Sequence, residues 1–362
     1  MKITHAQVQH RQVPIADPVR TAFGVMRARH AVFLVLQDDC GHRGLGESWV
    51  NFPSWGPWER VAAYERAILP WLEGREVADA PTASRELYHA LIGPAQQSGT
   101  VAPMVAALCG VEMALWDLIA QREGLPLSEL LFDEPRARVG VYASGINSPI
   151  PWDLIDEHLD RGVTLFKLKL GFGDQQDRRS LGALRQHLGD RADLAVDVNR
   201  GWSLQQALRW LPLLNDHRVR WVEEPLRLAD EPQLGILRSH GAPPIAWGEN
   251  AILTPDCDLE AIARSPADVL EPDLTKYAPL HLARALLDVA QAHGKRVVPH
   301  FLGSAPGQAA SLHFAAGCDE GLVEMDINRN PLRSQLFAEP FRVEGGMVAI
   351  PQRPGLGWTL KA

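Results

Sequence analysis

The sequence predicts an α/β protein, a closed barrel of parallel strands and helices preceded by an α+β unit. Three observations carry that prediction. From about residue 138, short apolar runs recur eight times at an average spacing of roughly 26 residues, enough for a strand, a helix and two turns. Helical stretches such as DRRSLGALRQHLG and LHLARALLDVAQAHG fill the gaps. The first third has the opposite order, with strands first and helices after. A doubly wound open sheet is the alternative, and eight evenly spaced strands suit it less well than a barrel.

Residues 1–50 alternate apolar and polar residues around a Gly-rich turn, as antiparallel pairing requires. Gly41-His42-Arg43-Gly44-Leu45-Gly46 in that stretch has no strand-to-helix context, so it reads as a hairpin turn and not a phosphate loop. Helical segments follow, including WERVAAYERAILPWLEG and the strongly apolar VAPMVAALCGVEMALWDLIAQREG. Glu112 and Asp117 in that last run favour a buried helix over a membrane span. The barrel strands are expected to begin near residues 137, 165, 194, 220, 244, 268, 296 and 321. Beyond the eighth, the turn-rich NRNPLRSQLFAEPFRVEGGMVAIPQRPG looks like a return to the N-terminal unit and not an eighth barrel helix.

The chain has 362 residues, 46% hydrophobic and 22% charged, which excludes a largely disordered protein and supplies a sizeable core. Its formal net charge of −8 argues against nucleic acid as a partner. Cys40, Cys109, Cys257 and Cys318 are scattered and read as reduced thiols. The opening MKITHAQVQHRQVP has no apolar leader-like run, and no membrane partner is expected. A cytoplasmic location is the expectation.

In such barrels the site lies at the C-terminal ends of the strands. There Asp197, Glu223 and Glu249 end three successive strands at equal intervals of 26 residues. Three converging carboxylates repel one another unless a cation sits among them, and an all-oxygen set suits Mg²⁺. Taken singly, each acid would more readily cap the following helix. Glu224 should point the other way from Glu223. Asn199 shares the face of Asp197 and could touch substrate or the adjoining loop. Lys167 and Lys169 share one face of the second strand, and a cation beside another cation and Mg²⁺ should have a lowered pKa, fit for a base. The alternative is that both face outward and snorkel. Asp273 and His300, on neighbouring strands nearly opposite Lys169, form a candidate carboxylate–imidazole pair. Glu324 on the eighth strand could point inward and donate a hydrogen bond if protonated, or be an ordinary structural acid. Two bases flanking Mg²⁺ define a reaction: removal of the α-proton of a carboxylate, with Mg²⁺ stabilising the enediolate.

These motifs, FKLKLG, DVNRGW, VEEP, GEN, PD, PHF and VEMD, with GVEMALWDLIAQREGLPLSELL before the barrel, resemble the enolase superfamily and, within it, the mandelate racemase group. Lys or His bases beside Mg²⁺ are the known pattern of enolase-superfamily sites, so that pairing is a property of the family and no new finding. The resemblance runs in order along nearly the whole chain. It implies a modified TIM barrel of (β/α)7β type over residues 126–334. An α+β capping domain would span residues 1–125 and be completed by residues 335–362. It also implies Mg²⁺ on Asp197, Glu223 and Glu249. Lys169 and His300 would be the acid/base groups, with Asp273 supporting the histidine. Lys167 would help bind the substrate carboxylate, and Glu324 would act on it as an electrophile. Lys276-Tyr277-Ala278-Pro279 departs from the glycine pair often found there in the family. A small-molecule carboxylate is the expected substrate and a homo-oligomer the expected assembly. The expected reaction is dehydration of an acid sugar or related hydroxy acid to a 2-keto acid. Racemisation or epimerisation is the alternative, and a barrel that binds without catalysis is the non-enzymatic one. Specificity should come from about residues 15–30 and 50–60. Arg20, Arg27 and His30 are candidates for the distal end of the substrate, Arg27 foremost because Phe23 and Met26 flank it. Trp55 and Trp58 are candidates for a lid.

Overall fold

The computed structural model describes residues 1–21 and 24–361, with every side chain in them except those of Ala16, Asp17 and Arg20. Three antiparallel strands open the chain: β1 (Ile3–Thr21), β2 (Gly24–Asp38) and β3 (Arg43–Trp49). The β2–β3 connection is the expected hairpin turn. Gly41 adopts φ +87° there, and the Asp38 carboxylate accepts from the amides of Cys40 and His42 at 2.9 and 2.8 Å.

The apolar helix Val101–Glu123 packs directly on β3. Gly46 makes this possible, because a Cβ there would lie 1.8 Å from the Gly110 carbonyl oxygen. The helix is long and apolar enough to cross a membrane, yet most of it is buried within the protein. Its two acids tie it to distant chain. Glu112 accepts from the backbone and ring nitrogens of His281 at 2.6 and 2.8 Å. Asp117 accepts from the amides of Leu45 and Leu356 at 2.9 and 2.8 Å.

Eight parallel strands then form the barrel wall: β4 (Arg138–Ile146), β5 (Leu165–Lys169), β6 (Asp193–Asp197), β7 (Val219–Glu223), β8 (Ile245–Trp247), β9 (Val269–Leu270), β10 (Arg296–Val297) and β11 (Leu322–Asp326). Their order is β10-β9-β8-β7-β6-β5-β4-β11. The seam between β10 and β11 carries a bond from the Phe301 amide to the Glu324 carboxylate, 3.0 Å. Helices follow the first seven strands, and after β11 only the single turn Pro331–Ser334 appears, so the barrel is of the (β/α)7β kind. The tail strand β12 (Met347–Ala349) runs antiparallel to β4. The tail therefore divides its contacts. It pairs with the first barrel strand, and only further on does Leu356 reach the N-terminal helix through Asp117.

Alternation along each strand separates two cores. Phe166, Leu168, Val196 and Val222 face outward onto the helices. Leu165, Ala195, Trp221, Ala246 and Tyr142 face inward and form an apolar floor beneath the strand ends. Lys167, Asp197 and Glu223 continue these inward rows one step higher.

Glu47, next to Gly46 on β3, joins the two units. Its buried carboxylate accepts from the Ser304 amide and hydroxyl at 2.9 and 2.7 Å and from the Gly307 amide at 2.9 Å. These groups start the helix Ala305–Ala315, just after His300. Burial outweighs the three donors and pushes the Glu47 carboxyl up to about 7 from its ordinary value of 4.5. A folded-state pKa above the unfolded one means that the folded protein binds the extra proton, so this contribution to stability falls as pH rises from 4.5 through 7. The stability difference between wild type and Glu47→Gln, from denaturant unfolding at several pH values, should therefore shrink across that interval. A difference that grows with pH would contradict the assignment.

Candidate active site

The side chains converge where the barrel strands end beneath the N-terminal sheet. Lys167 and Lys169 share the inner face of β5, and their environments differ. Lys167 is completely buried, paired with Glu223, 2.7 Å from Glu324 Oε1 and 3.5 Å from the Tyr142 hydroxyl. It lies below the cavity floor. Lys169 reaches the cavity and pairs with Asp197, its register partner on β6. Burial lowers both ammonium pKa values, but Glu223 and Glu324 around Lys167, and Asp197 beside Lys169, outweigh it and hold both above the ordinary value. The expected lowering belongs to Lys169 beside Mg²⁺; by itself the neighbouring ammonium matters less than the acid in register with Lys169.

The three acids do not sit at one level. Asp197 and Glu223 are register partners, whereas Glu249 lies two residues beyond the end of β8. Gly248 carries it inward at φ +138°, where a Cβ would lie 2.9 Å from the Glu271 amide nitrogen. Glu249 Oε2 lies 2.7 Å from His300 Nε2 and 3.8 Å from Lys276 Nζ. Burial would raise its pKa, but Lys276 and His300 hold it well below the usual carboxylate range. Burial and the Asp197 charge push Glu223 up to about 7. At the strand ends, potential ligand atoms of Glu223, Glu249 and His300 all lie within 4.8 Å of one another, while Asp197 pairs with Lys169. Glu223 Oε1 is buried without a hydrogen-bond partner among the described residues. Glu223 with its unspent oxygen, Glu249 beside it and Asp197 in register on the next strand offer oxygen ligands of the kind a hard divalent cation such as Mg²⁺ takes.

His300 Nδ1 lies 2.8 Å from Asp273 Oδ2. Asp273 is itself fixed by the amide and hydroxyl of Thr275 at 2.8 and 2.7 Å. Burial lowers the imidazole pKa, yet Glu324, Glu249 and Asp273 hold it well above its ordinary value. Glu324 is ionised. Burial raises its pKa, but Lys167 and His300 prevail and set it at about 2. Of the two readings of Glu324, hydrogen-bond donor or structural acid, its contacts with Lys167 and the Phe301 amide favour the structural one. Glu224 points away, as expected, to Asn250 at 2.8 Å and Arg200 at 3.2 Å. Asn199 lines the cavity and donates to both Asp197 and Glu249, from 3.1 and 3.5 Å.

The cavity has a volume of about 270 Å³ and contains Lys169, His300, Glu249 and Asn199 in its wall. From the N-terminal unit it takes Met26, Arg29, Trp49, Val50, Asn51, Phe52 and Arg60. Arg27 is corrected: its side chain is exposed and does not line the cavity, because the β1 bulge between Pro14 and Val19 shifts the pairing of this part of β2. Arg29 takes its place, 2.5 Å from Asp326. His30 pairs with His10 at 3.1 Å, away from the cavity. The Arg20 side chain and Phe23 lie outside the described residues. Trp55 and Trp58 are exposed and outside the cavity wall, and Val50–Phe52 of the same segment line it instead. Lys276 and Tyr277, the departure after the sixth strand, also line it. Thr275, Arg29, Arg60 and the buried Glu271 belong to the site without having been marked by the sequence pattern. For Thr275 a signal existed, since a Thr two residues after an Asp is a common local turn.

A pair of acid/base groups on opposite barrel strands beside clustered carboxylates defines a class of barrel enzymes that move protons next to carboxylates. Family models match both parts of the chain: the mandelate racemase/muconate lactonizing enzyme N-terminal domain over residues 3–131 and the enolase C-terminal domain-like model over residues 153–362. The chain belongs to the mandelate racemase/muconate lactonizing enzyme family of the enolase superfamily. It is 27% identical to the D-galactarolactone cycloisomerase of Agrobacterium fabrum over 99% of this chain and 96% of that protein. It is also 27% identical to the L-talarate/galactarate dehydratase of Salmonella typhimurium, over 96% and 86%. A mandelate racemase/muconate lactonizing enzyme of Bordetella bronchiseptica superposes with TM-score 0.88 at 32% identity, covering 99% of this chain and 97% of that one. A racemase of Streptomyces coelicolor with bound magnesium gives TM-score 0.85 at 26% identity, with the same coverage. The relatives include dehydratases, cycloisomerases and epimerases.

Gly248 supplies a direct check on how Glu249 is placed. Gly248→Ala should weaken Mg²⁺ binding about tenfold or more by calorimetry, since the added methyl pushes the turn off Glu271. Wild-type affinity in that variant would show that the turn does not position Glu249.

Proposed function

We propose that the protein dehydrates an acid sugar or related hydroxy acid to a 2-keto acid, with Mg²⁺ as cofactor. The observation that supports it best is the composition of one cavity. Lys169 and His300 both face it, and Asn51, Asn147, Asn199, Asn250 and Asn328 supply a polar lining suited to hydroxyl groups. Mg²⁺ held by Asp197, Glu223 and Glu249 would supply the positive charge that a carboxylate needs as its α-proton leaves, and Asp197, so engaged, would release its hold on the Lys169 proton.

Lys169, once its extra proton has passed to solvent, takes the α-proton at Nζ as the neutral amine. The electrons of the C–H bond form a C=C bond as the β-C–O bond breaks. His300, oriented through Nδ1 by Asp273, donates the Nε2 proton to the leaving hydroxyl, which departs as water. The resulting enol tautomerises to the 2-keto acid. Lys167 and Glu324 hold the wall of charge below this pair and do not reach the cavity. Racemisation or epimerisation is the second reading, favoured by the apolar part of the lining, Val19, Met26, Phe52 and Leu302.

Lys169→Ala and His300→Asn should each lower kcat by about 10²–10⁴-fold with the unfolding temperature little changed. Chelation should stop turnover and added Mg²⁺ restore it. Screening aldonic and aldaric acids for 2-keto acid formation separates the readings. Solvent deuterium entering an unreacted chiral acid, without dehydration, would favour the racemase. Full activity in both variants would remove the pair from the chemistry altogether.

A further inference from the structure

The cations in the cavity wall are not equivalent. Among the described residues, four lysine and arginine side chains line it: Arg29, Arg60, Lys169 and Lys276. Arg29 is matched by the buried Asp326 and Lys169 by the buried Asp197. Lys276 donates to Asn250 Oδ1 at 2.7 Å and lies 3.8 Å from Glu249. Arg60 differs. Its side chain is only about 5% exposed, and its one acidic partner is Glu59, 3.5 Å from Nη1 and itself turned toward solvent. Nη1 also donates to the Gly56 carbonyl at 3.1 Å. Nε is buried with no hydrogen-bond partner among the described residues.

A guanidinium is costly to bury unless its charge and donors are met. Here Nη1 is spent on its own helix, Gly56–Ala63, and the Tyr277 phenol takes a further bond, yet Nε has no partner among the described residues and no buried acid matches the charge. Arg60 belongs to the N-terminal unit, whereas Lys169 and His300 come from barrel strands and their loops. A substrate with its reacting carbon between Lys169 and His300 therefore presents its other end to the Arg60 wall. A hydroxyl can satisfy one donor and leaves the charge unmatched. A carboxylate meets both, and planar recognition of carboxylate is what a guanidinium does better than an ammonium. Tyr277, which also interacts with Arg60, offers a phenol on the same side.

We propose that Arg60 binds a second carboxylate at the distal end of the substrate, so that the acid sugar is an aldaric diacid and not an aldonic acid. This inference rests on the dehydration reading for its chemistry, but the anion site stands or falls on binding. The test uses the full-length enzyme with Mg²⁺ and paired hexaric and hexonic acids that differ only in the oxidation state of C6, such as glucarate with gluconate and galactarate with galactonate. Wild type should favour the diacid of a productive pair by at least about tenfold in kcat/KM. Arg60→Met should raise KM for the diacid about 30-fold or more with kcat little changed, and leave KM for the monoacid within about threefold. Arg60→Lys, which keeps the charge without the fork, should fall between them and confirms that the fold survives substitution. Preference for the monoacid in wild type, or an unchanged preference in Arg60→Met, overturns the proposal. If no member of either class is dehydrated, the dehydration reading fails. Calorimetric binding of the same acids then decides the subsite. Selective weakening of the diacids in Arg60→Met supports it, and equal affinities in wild type and variant overturn it.

Discussion

Everything at the strand ends depends on Lys167. Inside the barrel, Asp197, Glu223, Glu249 and Glu324 crowd into a region with almost no solvent. Like charges in such surroundings cannot all ionise unless cations are placed among them. Lys167 lies against two of these acids at once, with its ammonium beside Tyr142 of the apolar floor. Each ion in such a pair costs several kcal/mol to desolvate, so the pair is retained for the arrangement it enforces more than for net stability. Its effect is to hold Glu223 and Glu324 below the cavity, whose wall is left to Lys169 and His300.

The second constraint is the docking of the N-terminal unit. Three buried acids, Glu47, Glu112 and Asp117, accept backbone amides of distant segments. A carboxylate is well suited to that task because it takes two or more donors in a small space. Trp49 continues the seam, its amide donating to the Thr275 carbonyl at 3.1 Å, so that β3 ends against the loop that holds Asp273. The cavity wall is thus assembled from both units without a flexible joint at its centre.

Much of this was legible in the sequence. The strand-and-helix repeat gave the barrel, and the absence of helical pattern after the eighth strand gave its missing helix. Lys167, Lys169, Asp197, Glu223, Glu249, Asp273, His300 and Glu324 all converge in space, because a parallel barrel places every strand end at one rim. What escaped was contact-dependent. The protonation of Lys169 and Glu324 is set by which oppositely charged group lies beside each, and strand spacing does not report that. Arg27 and Arg29 are two residues apart, and an irregularity in the opposite strand decides which of them enters the cavity. Arg60 lies in a helical stretch whose pattern resembles any amphipathic surface helix, so nothing local marked it as buried.

The long reach of the Glu47 clasp has a consequence for how the molecule comes into being. Glu47 and its partner Ser304 are 257 residues apart along the chain. At ribosomal speeds of about 5–20 residues per second, roughly 13–50 s pass between the synthesis of one and of the other. For that interval the N-terminal sheet and its apolar helix have no barrel to cover them, and the tail that bonds Asp117 is made later still. The clasp can therefore form only late in translation, and the cavity closes only when the last fifth of the message has been read.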